Sequence, residues 1–132
     1  MKLRGRVAFI TGGGGAIGGA QARLLASEGA AVCVAREIVD AGGSAVPVPL
    51  DVQRSDQWNE AVAHAERHLG PVSILCNNAG ANFRVSFDEQ TEEMWNVIVG
   101  TILTGSFLGI KAVVPSMRRA GGGVIVNLGS LA

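Results

Sequence analysis

The chain has no tyrosine among its 132 residues, only two cysteines, and no excess of charge of either sign. Each shortage excludes something. With 11 basic and 11 acidic residues the formal net charge is +0, which leaves no electrostatic case for a nucleic-acid or membrane-surface partner. No uninterrupted apolar run reaches the roughly 18 residues of a membrane span. The basic start Met1-Lys2-Leu3-Arg4-Gly5-Arg6 is followed by a short apolar run that ends in Thr11 and four glycines, which is no secretory signal. Cys33 and Cys76 both sit within apolar runs, where buried free thiols are common and a structural disulfide is not the default. A soluble, cytoplasmic chain that binds neither nucleic acid nor membrane is the expectation. The missing tyrosine removes every phenolic hydroxyl from the acid–base chemistry of these residues. Glycine, by contrast, is abundant: 19 residues, about twice average usage.

Length and patterning predict one domain over residues 1–132 with a real hydrophobic core. Val7-Ala8-Phe9-Ile10 is a short continuous apolar run, as in a strand buried on both faces of a parallel sheet. Ala16 to Ser27 is a helix-length stretch rich in Ala and Leu, closed by Gly29. Val32 to Ala35 is a second strand, and Ala45 to Leu50 a third, whose two prolines favour an edge position. Ser55 is a candidate cap for a helix running to about Leu69, where Gly70-Pro71 breaks it before a fourth strand, Val72 to Cys76. Thr91, followed by Glu92 and Glu93, starts a long helix to about Met117. Its apolar positions Trp95, Ile98, Val99, Ile102, Leu103, Ile110, Val113 and Val114 recur at helical spacing and are expected to cover a sheet or another subunit. Val124 to Leu128 is a fifth strand. Strands alternating with helices predict an α/β fold, a Rossmann-like doubly wound parallel sheet of about five strands.

Between the first strand and helix lies Thr11-Gly12-Gly13-Gly14-Gly15-Ala16-Ile17-Gly18. Backbone N–H groups and a helix dipole at that place can receive a pyrophosphate, and glycines allow the tight turn and the close approach of phosphates. A dinucleotide-binding loop is the reading, in either of two registers, because Gly13, Gly15 and Gly18 also satisfy G-x-G-x-x-G.

The segment Thr11-Gly12-x-x-x-Ala16-Ile17-Gly18 resembles the TGxxxGxG cofactor loop of the short-chain dehydrogenases/reductases, with Ala16 at the middle glycine. Asn77-Asn78-Ala79-Gly80 after the fourth strand resembles that family's NNAG element, and Leu50-Asp51-Val52 its adenine-contacting segment. Asn127-Leu128-Gly129-Ser130 resembles the end of the strand that carries the catalytic serine. The resemblance implies a Rossmann-type NAD(P)-dependent oxidoreductase acting on a small alcohol or ketone, without a metal. It also implies a homodimer or homotetramer paired through the long helix. Gly12, Gly14, Gly15, Ala16, Ile17 and Gly18 would hold the phosphates. Asp51 and Val52 would face the adenine, Asn78, Ala79 and Gly80 would line the cofactor, and Ser130 would orient the substrate oxygen.

Three departures qualify the resemblance. The family's general acid/base is a tyrosine, with a lysine four residues on, and no residue here fills that role. Taken with the abrupt end after Ser130, this predicts a chain truncated at its C-terminus and inactive by itself; a non-catalytic dinucleotide-binding module is the alternative. Ile102-Leu103-Thr104-Gly105 matches the family's Asn-Leu-x-Gly, so Ile102 stands where an asparagine is expected and reads as a core-facing residue. The second crossover has only Arg36 to Ala45, short of the usual helix and two loops. Arg36 stands by numbering where cofactor choice is made. The glycine loop's lack of a basic residue leans toward NAD over NADP. His64 and His68, four apart on a helix, read as part of a polar face.

Overall fold

All four side chains of β1 (Val7–Ile10) are buried. Successive side chains of a strand point to opposite faces, so Val7 and Phe9 enter one core while Ala8 and Ile10 enter another. Two buried faces require helices on both sides of a sheet, and the computed structural model places them there. It describes residues 1–12, 15–35 and 45–129.

Five parallel strands run in the order β3-β2-β1-β4-β5, with β2 at Ala31–Ala35, β3 at Ala45–Val48, β4 at Ile74–Asn77 and β5 at Val124–Asn127. The α/β Rossmann-like expectation therefore holds. Pro47 lies on an edge strand, paired only toward Val34. There its missing N–H costs no ladder bond.

On one face α1 (Ala16–Ser27) covers Ala8, Ile10, Val32, Val34 and Cys76. On the other, α2 (Ser55–Leu69) and the C-terminal part of the long helix, with its buried Val113, cover Phe9, Cys33 and Leu75. The centre of that second core is Trp58, fully buried, its ring 5.5 Å from that of Phe9 and its Nε1–H donating to the Val52 carbonyl at 2.9 Å. The buried polar side chains earn their places as backbone partners: the hydroxyl of Ser116 accepts from Val72 N–H at 2.7 Å, and that of Ser73 from Val7 N–H at 3.1 Å. Both cysteines are free and buried. Burial pushes the Cys33 thiol up to about 12 and raises that of Cys76, so both stay protonated and take no nucleophilic role.

The long helix departs from expectation in two ways. It is not one regular α-helix. Thr91, whose hydroxyl accepts from Met94 N–H, caps α3 (Glu92–Ile98); a wider π-helical stretch, Val99–Thr104, follows, and then α4 (Gly105–Arg119). The sheet, one of the two covers expected for its apolar face, takes only the C-terminal part. Val113 and Met117 are buried, but Trp95, Ile102, Leu103 and Phe107 are exposed, Leu103 by 68%. Spacing predicts which residues share a face, not whether that face is covered. Ile102 is accordingly a correction: it is 42% exposed and does not face the core. The continuous run Glu92–Arg119, with a window of mean hydropathy 2.0, is long and apolar enough to cross a membrane by length and composition alone. A count of uninterrupted apolar residues misses this.

Candidate cofactor cleft

The order of the strands reverses at β1: β2 and β3 lie to one side of it, β4 and β5 to the other. Loops leaving the C-terminal ends of β1 and β4 must therefore diverge, and a crevice opens between them. A cleft of about 450 Å³ lies there, lined by Gly12 after β1, Asp51 and Val52 after β3, and Ala79 and Gly80 after β4. Three separate sequence motifs thus meet in one cavity. Ala35, Leu50, Gln53 and Thr101 complete the lining.

Gly12 shows why the loop needs glycine. Its φ is +65°, and a Cβ there would lie 3.1 Å from the backbone of Asn78 and Ala79. The close approach is locked by Thr11, fully buried by all but 1%. Its hydroxyl accepts from the N–H groups of Asn78 and Ala79, at 3.0 and 3.1 Å, while its own N–H donates to the Cys76 carbonyl at 3.0 Å. The Asn78 side chain adds two bonds in the other direction, donating to the Thr11 carbonyl at 3.2 Å and to Gln21 Oε1 at 2.5 Å. Asn78 is thus a brace between the β4 turn, the end of β1 and α1, rather than part of the cleft lining.

Gly15 is the N-cap of α1, in extended conformation, with no side-chain capping bond, and the first turn carries no acidic residue. Those N–H groups, with the positive end of the helix dipole, suit an anion. Ala16 begins the helix, Ile17 is 53% exposed and Gly18 is buried against the sheet. None of these four lines the cleft with Gly12 and Asp51. Gly14, Ser130 and the second crossover, Arg36 included, lie outside the described residues.

At the far end of the cleft the Asp51 turn is held from both sides. Its N–H donates to Gln57 Oε1 at 2.7 Å, and its Oδ1 accepts from Gln53 N–H at 3.0 Å. Arg54 pairs with Asp56 at 3.0 Å, and among the described residues Asp51 has no ion-pair partner. Behind it, α4 approaches closely because it carries glycines: a Cβ on Gly105 would lie 2.9 Å from Val52, and one on Gly109 2.7 Å from the Trp58 ring. Sequence reasoning missed Gln21, Gln53 and Thr101. The position of Gln53 two residues after Asp51 was a usable signal; Thr101 had none, since only the packing of the long helix brings it to the cleft. His64 and His68 stack at 4.2 Å on α2, with His68 Nδ1 2.9 Å from the His64 carbonyl. Among the described residues no group of three or more metal-ligating side chains comes together.

Residues 6–132 match the protein family described as short chain dehydrogenase. The chain belongs to that family. A 2,5-dichloro-2,5-cyclohexadiene-1,4-diol dehydrogenase, LinX, of Sphingobium indicum is 40% identical over 141 positions, covering 98% of this chain and 56% of its own. A 3-alpha-(or 20-beta)-hydroxysteroid dehydrogenase of Mycobacterium tuberculosis is 37% identical, with 98% and 53% covered. Among solved structures, a short-chain type dehydrogenase/reductase from Mycobacterium marinum superposes with a TM-score of 0.86 at 32% identity, covering 94% of this chain and 55% of that one. The chain spans about half the length of the curated relatives it matches. The alignment to LinX has 141 positions against 132 residues here, so at least nine positions of that comparison have no counterpart in this chain.

Proposed function

We propose that these residues form the dinucleotide-binding part of an NAD(P)-dependent short-chain dehydrogenase that interconverts an alcohol and a carbonyl on a small-molecule substrate. The observation that carries the reading is the meeting of Gly12, Asp51, Val52, Ala79 and Gly80 in one cleft at the point where the strand order reverses. Its residues fit a dinucleotide. Glycine backbone and the uncapped N-terminus of α1 suit the pyrophosphate, Gly14 to Gly18 included, and the Asp51 carboxylate, which has no ion-pair partner among the described residues, suits the amino group of adenine. The nicotinamide ring of such a cofactor supplies hydride transfer. Ser130 is the residue assigned to the substrate oxygen. A tyrosine–lysine pair for the proton is not among these 132 residues, so the chain alone is expected to bind cofactor without turnover.

NAD is the preferred cofactor, since no basic residue stands in the glycine loop, and the cytoplasm the assigned compartment. Titration with NADH and NADPH, followed by cofactor fluorescence, tests the reading. Saturable binding of NADH is expected, weakened about tenfold or more in Asp51→Ala through loss of a charge-assisted hydrogen bond. A folded chain with no saturable binding to either cofactor overturns it. A non-catalytic binding module is favoured instead if turnover is absent also from a form carrying the tyrosine–lysine segment; Ile102 at the asparagine position motivates that reading.

We assign the exposed stripe of Trp95, Leu103 and Phe107 to pairing with a second copy, as a dimer or tetramer. Burying each such side chain contributes about 1.5–3 kcal/mol. Leu103→Glu is expected to convert the assembly to monomer by light scattering. A wild-type monomer at high protein concentration contradicts the assignment.

A further inference from the structure

The chain holds two histidines and two cysteines, the side chains whose nitrogen and sulfur atoms borderline divalent metals prefer. The cysteines are out of reach: both are buried, in the cores on opposite faces of the sheet, and burial keeps their thiols protonated. The histidines are placed differently. They stand four residues apart on α2, His68 exposed and His64 half-buried, with ring centroids 4.2 Å apart and planes 32° from parallel. Side chains at that spacing are neighbours on one helix face. Two nitrogens bound to one tetrahedral ion at about 2.0–2.1 Å lie about 3.3 Å from each other, a separation that small side-chain rotations give to rings this close.

His68 is also oriented. Its Nδ1 lies 2.9 Å from the His64 carbonyl. A carbonyl oxygen only accepts, so Nδ1 donates, and Nε2 of the neutral ring keeps its lone pair. A backbone carbonyl at the nitrogen that does not ligate is the usual way a metal-binding histidine is held in tautomer and orientation. Glu60, four residues before His64, is engaged by Arg67 at 3.3 Å, and no third ligating side chain joins the pair among the described residues. Water completes the coordination.

We propose that His64 and His68 form a two-nitrogen chelate on the outer face of α2 for a borderline divalent cation of the zinc or nickel type. The site is separate from the cleft, which neither histidine lines, and the inference is independent of the dinucleotide reading. Two ligands on one helix make the second bond intramolecular, so the pair holds the ion more tightly than either imidazole alone. Magnesium, a hard cation, prefers oxygen and is not retained.

Calorimetric titration of the tag-free, metal-stripped chain with NiCl2, ZnCl2 and MgCl2 tests this, with the ring signals of both histidines followed by NMR during the zinc titration. One saturable equivalent of nickel or zinc per chain is expected, none of magnesium, and zinc-dependent shifts at both rings. His68→Gln keeps a polar side chain at an exposed position and is expected to weaken nickel binding about tenfold or more, and His64→Gln/His68→Gln to abolish it. The urea midpoint of His68→Gln without metal is expected to match wild type. A merely structural role for the pair would shift that midpoint and leave metal affinity unchanged. No saturable nickel binding by the folded wild type, zinc shifts at one ring alone, or a loss under about twofold in His68→Gln overturns the inference.

Discussion

Trp58→Ala is expected to lower the unfolding free energy by about 3–5 kcal/mol, measured by urea denaturation. That is a large part of the roughly 5–15 kcal/mol that typically holds a domain together. The loss has three sources. The indole is fully buried and fills the centre of the core between α2, α4 and the sheet. It packs against Phe9. Its N–H satisfies the carbonyl of Val52, which would otherwise be left at the rim of the cleft without that partner. Trp58→Phe separates these contributions: a six-membered ring remains against Phe9, only the hydrogen bond and part of the volume go, and a smaller loss follows. Because Gly109 brings α4 to within contact of the same ring, Trp58→Ala also loosens the wall behind Asp51 and Val52, so NADH affinity falls with stability. A change in unfolding free energy under about 1 kcal/mol contradicts this account of the core.

Gly12→Val is expected to weaken NADH binding by about thirtyfold or more, the equivalent of about 2 kcal/mol. A β-branched residue is a steric outlier at φ +65°. The new Cβ would also meet backbone, not a flexible side-chain end, at Asn78 and Ala79. That backbone has little freedom to move, because the Thr11 hydroxyl holds both N–H groups. The strain is relieved only if the loop leaves the β4 turn, and the cleft is then lost. Fluorescence titration checks the result, and wild-type affinity in Gly12→Val contradicts the role given to this close approach.

The local punctuation of the chain was legible because short-range chemistry decides it. Gly70, at φ +99°, ends α2 where Gly70-Pro71 breaks the pattern; at the other end the helix starts where expected, but Ser55 is its first residue and not its cap, Arg54 holding the N-cap position with no side-chain capping bond. The four-residue apolar run of β1 required burial on both faces, and Pro47 required an edge. The motifs at the strand ends could be gathered into one site because a parallel sheet puts all its strand C-termini on one side. What was not legible depends on contacts distant in sequence. Helical spacing placed Ile102 inward, yet it is exposed, as is Trp95 two turns before it on the same long helix. Thr101 reaches Gln53 across 48 residues, and Gln21 reaches Asn78 across 57. Neither pair has a periodicity or a motif to announce it, and both come from the way the helices lie on the sheet.

The central claim is that one cleft receives a dinucleotide, and amide NMR during titration with NADH tests it most directly. The account predicts saturable shifts concentrated at Gly12, Asp51, Val52, Ala79 and Gly80, with Thr101 among them and the exposed stripe at Leu103 and Phe107 unmoved. Shifts centred away from those residues, or none in a folded chain at saturating NADH, would contradict it.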